Sequence, residues 1–291
     1  MNMRDFLDKK PPEEYDFTEY TASDNYKELQ ELERFFAYQI KKSVYKNVNQ
    51  LYTIYLEKDI FKGLVDPDSK CPLLQMIYII LWDEKHLINC KGNHSLICGE
   101  TMNSVNTTLN CYIKCTTKEN ATKLKNISLY YANEKIKKNL DNNKKLIEFI
   151  NVYHTLGNFI PFPVGCNSPR GCNNSRIEDY WDLTLKYVYD YYHGDKNSVQ
   201  NIYTNSEIEK KFKDWLDKFG GWETFIDDNY MFPFIDENGR PKELWENHFG
   251  GAVLPKTTGQ CNEYFKNAHD WILKRGRIMV EAIHKRIREM E

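Results

Sequence analysis

No apolar stretch in the sequence is long enough to cross a membrane, which takes about 20 residues. The longest apolar run, Leu73 to Trp82, is interrupted by Gln75 and is typical of a buried core segment. Residues 1–20 are charged, contain two prolines and lack the apolar stretch of a signal peptide. We therefore expect a cytoplasmic protein with no membrane partner.

The sequence also lacks the short motifs of several enzyme and metal-binding classes. It has no Cys-x-x-Cys zinc knuckle, no glycine-rich phosphate-binding loop, no nucleophile elbow and no His-Glu-x-x-His helix. Its formal net charge is −2, which argues against a generally basic nucleic-acid coat protein but leaves local basic patches open. The eight cysteines occur without a secretion signal, so we expect buried thiols and no disulfide framework.

The sequence does contain helical periodicity, and its 41% apolar residues suffice for a sizeable core. We predict a mainly α (α+β) fold, with an extended N-terminal arm over residues 1–22 and a single α-rich domain over residues 23–291. Apolar pairs around a Lys-Gly-Asn turn signal predict a small antiparallel β element, a hairpin within residues 86–98. The predicted helices cover about residues 25–61, 119–138, 142–153, 175–193, 206–219, 241–249 and 260–290.

Polar residues mark the expected helix starts. Asp141 is the expected N-cap of the helix over 142–153. Ser175 with Glu178, and Ser206 with Glu209, have the Ser-x-x-Glu spacing of a capping box. Helix ends and a turn are predicted at Gly194, Gly220–Gly221 and Asn238–Gly239.

Residues 154–182 form the segment most typical of a functional site. The first half is loop-like and rich in glycine and proline, and it runs into a helix start whose free N–H groups favour an anion. Arg170 and Arg176 beside that start would suit a phosphate group. A structural role is the alternative, because Asn and Asp in such loops often cap turns and helices. The polar residues concerned are His154, Asn158, Asn167, Ser168, Arg170, Asn173, Asn174, Arg176, Asp179 and Asp182.

Three strings in this segment, HTLGNFIPFP, NSPRG and DYWDLTL, resemble an uncharacterised bacterial family known only as a domain of unknown function. The upstream strings LWDEKHL and GETMNS and the downstream WETFIDDNYMFPFIDENG and VLPK extend the likeness over about residues 75–290. The resemblance implies a family fold and supplies no activity.

The same segment is similar to the latter half of the HNH-type nuclease domain of GmrSD-like, modification-dependent restriction enzymes. The likeness consists of Thr-Leu-Gly-Asn, an apolar strand and then Asn-Ser. It implies a degenerate phosphodiester site in which a histidine is the general base and Asn167 lies near a divalent metal. The chain departs from this pattern because no Asp-His or Glu-His-Ile-x-Pro element lies shortly upstream of His154, so the base would be His154 itself or a residue elsewhere. The residues of the segment that we predict to bind a ligand are Asn158, Arg170, Asn173, Arg176, Asp179 and Asp182.

A further pattern lies in the last predicted helix. Arg277 and His284 have the Arg-x6-His spacing of HEPN-type ribonucleases, which puts two polar groups two turns apart on one face. The alternative is a basic solvated helix face, and short patterns of this kind are common by chance.

Two classes of function therefore stay open. The first is a nucleic-acid-directed protein in phage defence or a toxin-like role, with nucleic acid or another phosphate-bearing ligand as partner. The second is a non-catalytic binding or regulatory protein. The sequence leaves enzymatic activity, the metal and any protein partner undetermined.

Overall fold

The structure is a computed structural model of the 291-residue chain. It describes residues 77–78, 80–82, 98–104, 106–117, 138–140, 142–153, 155–163, 165–167, 177–251 and 253–290. The predicted arm over residues 1–22 and the predicted helices over 25–61 and 119–138 lie outside these described residues, except for Lys138, which is helical.

The described part of the chain is mainly α-helical, as predicted. Among the described residues, none of the helices has both the length and the apolar character needed to cross a bilayer. The elements are, in chain order, β1 (Cys98–Thr101), α1 (Asn106–Thr117), α2 (Lys144–Val152), β2 (Phe159–Phe162), α3 (Trp181–Tyr192), α4 (Ser206–Leu216), α5 (Trp222–Asp228) and α6 (Thr258–Met290). Short 3-10 turns cover Leu156–Asn158, Ser198–Asn201 and Phe232–Phe234.

Helix α6 is the central element of the core. Its apolar face is fully buried and packs against α1, α2 and the 3-10 turn Leu156–Asn158. That turn approaches α6 very closely, because a Cβ added at Gly157 would lie 1.8 Å from the carbonyl oxygen of Ile272. Only a glycine fits such an approach of two backbones. The buried residues of this face include Cys261, Tyr264, Phe265, Ala268, Ile272, Met279 and Ile283.

The described β element is a two-stranded antiparallel pair. Strand β1 pairs with β2, with Cys98 opposite Phe162 and Thr101 opposite Phe159. The small antiparallel element is thus present, but its described strands lie far apart in sequence. Residues 86–97 of the predicted hairpin lie outside the described residues.

The predicted capping box at the start of α3 is wrong. The helix begins at Trp181, and its N-cap, Tyr180, makes no side-chain cap hydrogen bond. Residue Tyr180 is fully buried with an extended backbone, and its ring packs edge-on against Trp245 and Tyr264. Tertiary packing of this aromatic ring therefore outweighs the local Ser175–Glu178 signal. The predicted end is confirmed, because α3 stops at Tyr192 and Gly194 has a φ of 111°.

Two other helix starts are displaced by one or two residues. The N-cap of α2 is Asn143 and not Asp141, and its side chain accepts a hydrogen bond from the Leu146 N–H. The N-cap of α4 is Asn205, whose side chain accepts from the N–H groups of Glu207 and Ile208. The Ser206 capping box is therefore replaced by the asparagine that precedes it, since an Asn side chain caps a helix equally well.

The predicted helix over residues 241–249 is wrong, because the chain there forms a series of turns. The Glu243 carboxylate accepts hydrogen bonds from the N–H groups of Asn247 and Phe249, which wraps the backbone around that side chain. Asn247 adopts a φ of 60°, which a regular helix does not allow. Helix α5 was not predicted, whereas the Asn238–Gly239 turn is confirmed by a φ of 75° at Gly239.

Candidate functional site

Asp182 is a fully buried carboxylate in the first turn of α3. Its Oδ1 accepts a hydrogen bond from the Leu183 N–H at 2.9 Å. Its Oδ2 accepts from the Leu244 N–H at 2.8 Å and lies 2.6 Å from His248 Nδ1. The carboxylate thus joins α3 to the turns of residues 241–249, and three donors offset the cost of burying it.

His248 is the partner of Asp182 that could take part in a reaction. A carboxylate only accepts hydrogen bonds, so the contact with Asp182 places a proton on Nδ1, and a ring that carries one proton then has its lone pair on Nε2. The side chain is 2% exposed, and Nε2 is buried without a hydrogen-bond partner. A buried ring nitrogen without a partner is uncommon in folded proteins, and a catalytic role is one of its explanations.

Aromatic rings surround the imidazole. The Trp245 ring lies against it with centroids 3.5 Å apart, and the Tyr180 ring meets it edge-on at 5.2 Å. The Tyr180 hydroxyl accepts a hydrogen bond from Thr108, and burial raises the pKa of Tyr180 far above its usual value. Tyr180 therefore stays protonated and lines the site as a neutral side chain. In such an apolar enclosure the Asp182–His248 interaction is stronger than it would be in water.

The Asp182–His248 pair has the arrangement that serves proton transfer or ligand binding. The carboxylate fixes the tautomer and orientation of the ring, and Nε2 is the atom left to accept a proton. Because Nε2 has no exposed surface, a substrate reaches it only after neighbouring residues move. The same pair also holds the turns in place, so it has a structural role in the resting state.

Asn158, one of the predicted binding residues, is fully buried and bonded to neighbouring chain. Its Oδ1 accepts from the backbone N–H and from the side chain of Asn103, at 3.0 and 3.2 Å. Its Nδ2 donates to the carbonyl groups of Asn103 and Tyr153. In the described structure Asn158 therefore ties the residues after β1 to the end of α2, which matches the structural alternative for the polar segment.

Asp179 and Asp182 lie near the same aromatic cluster. Burial is the main reason that the pKa of Tyr264 is raised, and the negative charges of Asp179 and Asp182 raise it further. Asp179 is half-buried, and burial together with Asp179 raises the pKa of the neighbouring Glu178. Asn167 is half-buried and follows β2. The structure thus brings Asp179 and Asp182 to one end of α3, where Asp182 alone meets His248.

Four predicted site residues lie outside the described residues: His154, Arg170, Asn173 and Arg176. Their roles stay predictions. The described parts of the chain contain no group of three or more His, Cys, Asp or Glu side chains that could hold a metal ion. The divalent metal of the HNH interpretation is thus also left as a prediction.

Arg277 and His284 both lie on α6, as their spacing predicts. Arg277 is exposed, and His284 is half-buried two turns further along the helix. Neither residue is joined to the Asp182–His248 pair by a described hydrogen bond or ion pair.

Sequence reasoning missed His248. The residue was placed within a predicted short helix, and its partner Asp182 precedes it by 66 residues. No local pattern links the two positions. The only available signal was that Asp182 begins a helix beside a loop that already held several polar residues.

Comparison with known proteins gives one match. The model of a family described as a family of unknown function, DUF6994, matches residues 51–279, which is most of the chain. No curated protein and no solved structure matches the chain. The predicted resemblance to a domain of unknown function is therefore confirmed, whereas the HNH likeness is not tested.

Proposed function

The chain belongs to DUF6994, a family of unknown function, and we propose that it is a nucleic-acid-directed enzyme that breaks phosphodiester bonds by acid–base catalysis. His248 is the proton-transferring group, and Asp182 orients it. The observation that supports this proposal is the unpartnered Nε2 of a histidine whose Nδ1 is committed to a buried carboxylate. We further propose that the protein acts in the cytoplasm, in phage defence or a toxin-like role.

The proposed chemistry needs one base and one acid. Nε2 of His248 accepts a proton from water or from a ribose hydroxyl as that oxygen attacks phosphorus. The resulting imidazolium is stabilised by Asp182 and returns the proton to the leaving oxygen. Atoms and charge balance without another reactant.

Phosphate recognition is assigned to cations rather than to the buried pair. Arg170 and Arg176 precede α3 in the sequence, and five exposed basic residues lie along α6. Lys and Arg side chains supply most of the affinity for a nucleic-acid backbone. The exposed basic residues on α6 are Lys266, Lys274, Arg277, Lys285 and Arg288.

Access to Nε2 requires the turns of residues 243–251 to move. Their attachments to α3 are the hydrogen bond from Leu244 and the His248 contact, both made to Asp182 Oδ2. The His248 contact with Asp182 has to persist during this movement, because the proposed mechanism uses it to orient the base. The movement that exposes Nε2 is therefore a displacement of the Trp245 ring from the imidazole.

Purified protein incubated with single- and double-stranded DNA and RNA, with and without Mg2+ or Mn2+, tests the proposal. We expect cleavage of at least one substrate, and we expect His248→Ala to abolish it while the variant still binds heparin. Cleavage lost in His154→Ala but retained in His248→Ala would instead support the HNH arrangement. RNA cleavage lost only in His284→Ala would support the HEPN arrangement.

A second candidate function is a non-catalytic binding or regulatory protein. The three hydrogen bonds that Asp182 accepts favour this function, because they are enough to explain why a carboxylate is buried there for structural reasons alone. In that case no substrate is cleaved with either metal, and His248→Ala changes only the stability of the fold.

A further inference from the structure

Phe232 is the one aromatic side chain that is largely exposed among the residues that the structure describes, and its exposed fraction is 51%. It begins the 3-10 turn Phe232–Phe234, whose other two residues are buried. The Phe234 ring packs edge-on against Trp271 of α6, with centroids 5.4 Å apart. The turn is therefore anchored to the core, while the Phe232 side chain is left in water.

The loop that follows this turn is held in one conformation by its own hydrogen bonds. The Phe234 carbonyl accepts from the Lys242 N–H at 2.8 Å. The Asp236 carboxylate accepts from the N–H groups of Asn238 and Arg240. The loop backbone thus engages the nearby negative charge, and a surface that is already ordered loses little conformational entropy when it binds a ligand.

Two lysines lie beside the turn. Lys242 Nζ donates to the Pro233 carbonyl at 3.0 Å and lies 6.0 Å from the centroid of the Trp271 ring. Lys274 is exposed on α6, one helical turn beyond Trp271. Burial lowers the pKa of Lys242 and the charge of Lys274 lowers it further, whereas the Asp236 carboxylate acts in the opposite direction. An anion placed between the two ammonium groups would relieve their mutual repulsion.

We propose that the patch formed by Phe232, Lys242 and Lys274 binds a single-stranded segment of nucleic acid. One base stacks on the exposed Phe232 ring, and the two ammonium groups neutralise the phosphates that flank this base. Stacking on aromatic rings combined with cationic contacts to the backbone is the general mode of single-strand recognition. A duplex cannot present a base face to the ring, because its bases are stacked on one another inside the helix.

The patch lies next to the turns that carry the candidate site. Leu244, whose N–H bonds to Asp182, follows Lys242 by two residues, which span at most about 7 Å. The Leu244 carbonyl also accepts from the side chain of Asn267 on α6, one turn before Trp271. The inference rests on the proposed phosphodiester cleavage and narrows its substrate to single strands, which the patch holds beside the candidate site.

Fluorescence anisotropy with labelled oligo(dT) and oligo(U) of about 12 nucleotides, within the size range of single-strand sites, measures this binding. The full-length chain carries His248→Asn throughout, so that the strands stay intact. Phe232→Ala should weaken binding at least about fivefold. Phe232→Trp should retain the affinity, and the fluorescence of its added indole should be quenched by the bound strand. Val253→Ala is the matched control, because Val253 is 50% exposed and lacks a ring, and it should bind like the parent protein.

Lysine variants test the phosphate contacts separately from the stacking. Lys242→Met and Lys274→Met keep the aliphatic part of the side chain and remove the charge. Each should reduce the slope of log affinity against log salt by about 0.7, the value for one phosphate contact on a single strand. Lys210→Met, at an exposed position of α4, should leave the slope unchanged. Heparin has no bases, so its binding should weaken in Lys242→Met and Lys274→Met but not in Phe232→Ala.

Three results would overturn the proposed patch. These are unchanged single-strand affinity in Phe232→Ala, an equal loss of affinity for a duplex or for heparin in that variant, and no binding of any oligonucleotide. Failure of the proposed cleavage is distinguished from these results, because binding is measured without turnover. Strands that bind through Phe232 but are never cut by the native chain would contradict the cleavage and support the patch.

Discussion

The guanidinium of Arg275 donates a hydrogen bond from Nη1 to the carbonyl oxygen of Gly157 at 2.8 Å, in the interior of the molecule. The same Nη1 donates to the Phe159 carbonyl, and Nε donates to the Asn229 carbonyl. Arg275 has no exposed surface, and burial lowers its pKa to about 9. One cation on α6 thus holds the turn before β2 and the end of α5 together.

We predict that Arg275→Met is strongly destabilising. The substitution leaves buried carbonyl oxygens without donors, and each such loss costs about 1–3 kcal/mol. Chemical denaturation should show a fall of about 3 kcal/mol or more in the free energy of unfolding. Lys274→Met, at the adjacent exposed position, should change it by less than about 0.5 kcal/mol. Equal effects of the two variants would refute the structural role of the buried guanidinium.

Gly157→Ala should be disruptive because the added Cβ would overlap the Ile272 carbonyl oxygen. The 3-10 turn and α6 would have to separate, at a cost of about 1–3 kcal/mol or more. Gly259→Ala is the matched control, since the new Cβ there meets only the Thr257 hydroxyl at 3.5 Å. Thermal melting of both variants checks this, and an unchanged melting temperature for Gly157→Ala would contradict the observed packing.

The start of α4 offers a direct comparison of two caps. Asn205→Ala removes the acceptor for the Glu207 and Ile208 N–H groups and should cost about 1 kcal/mol. Ser206→Ala should have little effect, because Ser206 is the first helical residue and not the cap. Urea unfolding of the pair distinguishes them. A larger loss of stability in Ser206→Ala than in Asn205→Ala would instead support the capping box predicted from the sequence.

Stability should fall as pH rises above about 9. Burial raises the pKa of Cys111 from 9.0 to about 11, so between these values the unfolded chain loses a proton that the folded chain keeps. The folded thiol therefore contributes stability that is complete below pH 9 and lost as pH approaches 11. We expect a smaller decline between pH 8.5 and 10.5 in Cys111→Ala, measured as the pH dependence of unfolding. An identical slope in both proteins would contradict the burial of this thiol.

The parts of the fold that could be predicted are those set by local pattern. Helix α6 was predicted to within two residues at its start because a continuous apolar stripe defines it. The end of α3 was predicted because Gly194 adopts the positive φ that suits glycine. By contrast, α3 starts at Trp181 because the Tyr180 ring is drawn into the core by distant aromatic residues.

The candidate site was only half predictable for the same reason. Asp182 could be selected from the sequence because it is an acid near a helix start after a polar loop. Its partner His248 could not, because it lies in turns that no local sequence pattern predicts. Those turns depend on the Glu243 carboxylate and on Asp182, which bonds to Leu244 across 62 residues of chain. Asn158 shows the opposite case, since its polar side chain serves the backbone of Asn103 and Tyr153.

The cleavage rate of His248→Asn beside His269→Asn tests the central claim most directly. Asparagine keeps a donor for Asp182 near the position of Nδ1 but has nothing in place of Nε2, so the fold should survive. His269 is the matched control, because its Nδ1 contacts Asp270 at 3.0 Å on a partly exposed face of α6. We predict a fall of at least about 100-fold for His248→Asn, the range of general acid–base catalysis, and no change for His269→Asn. Wild-type cleavage by a correctly folded His248→Asn protein would contradict the account.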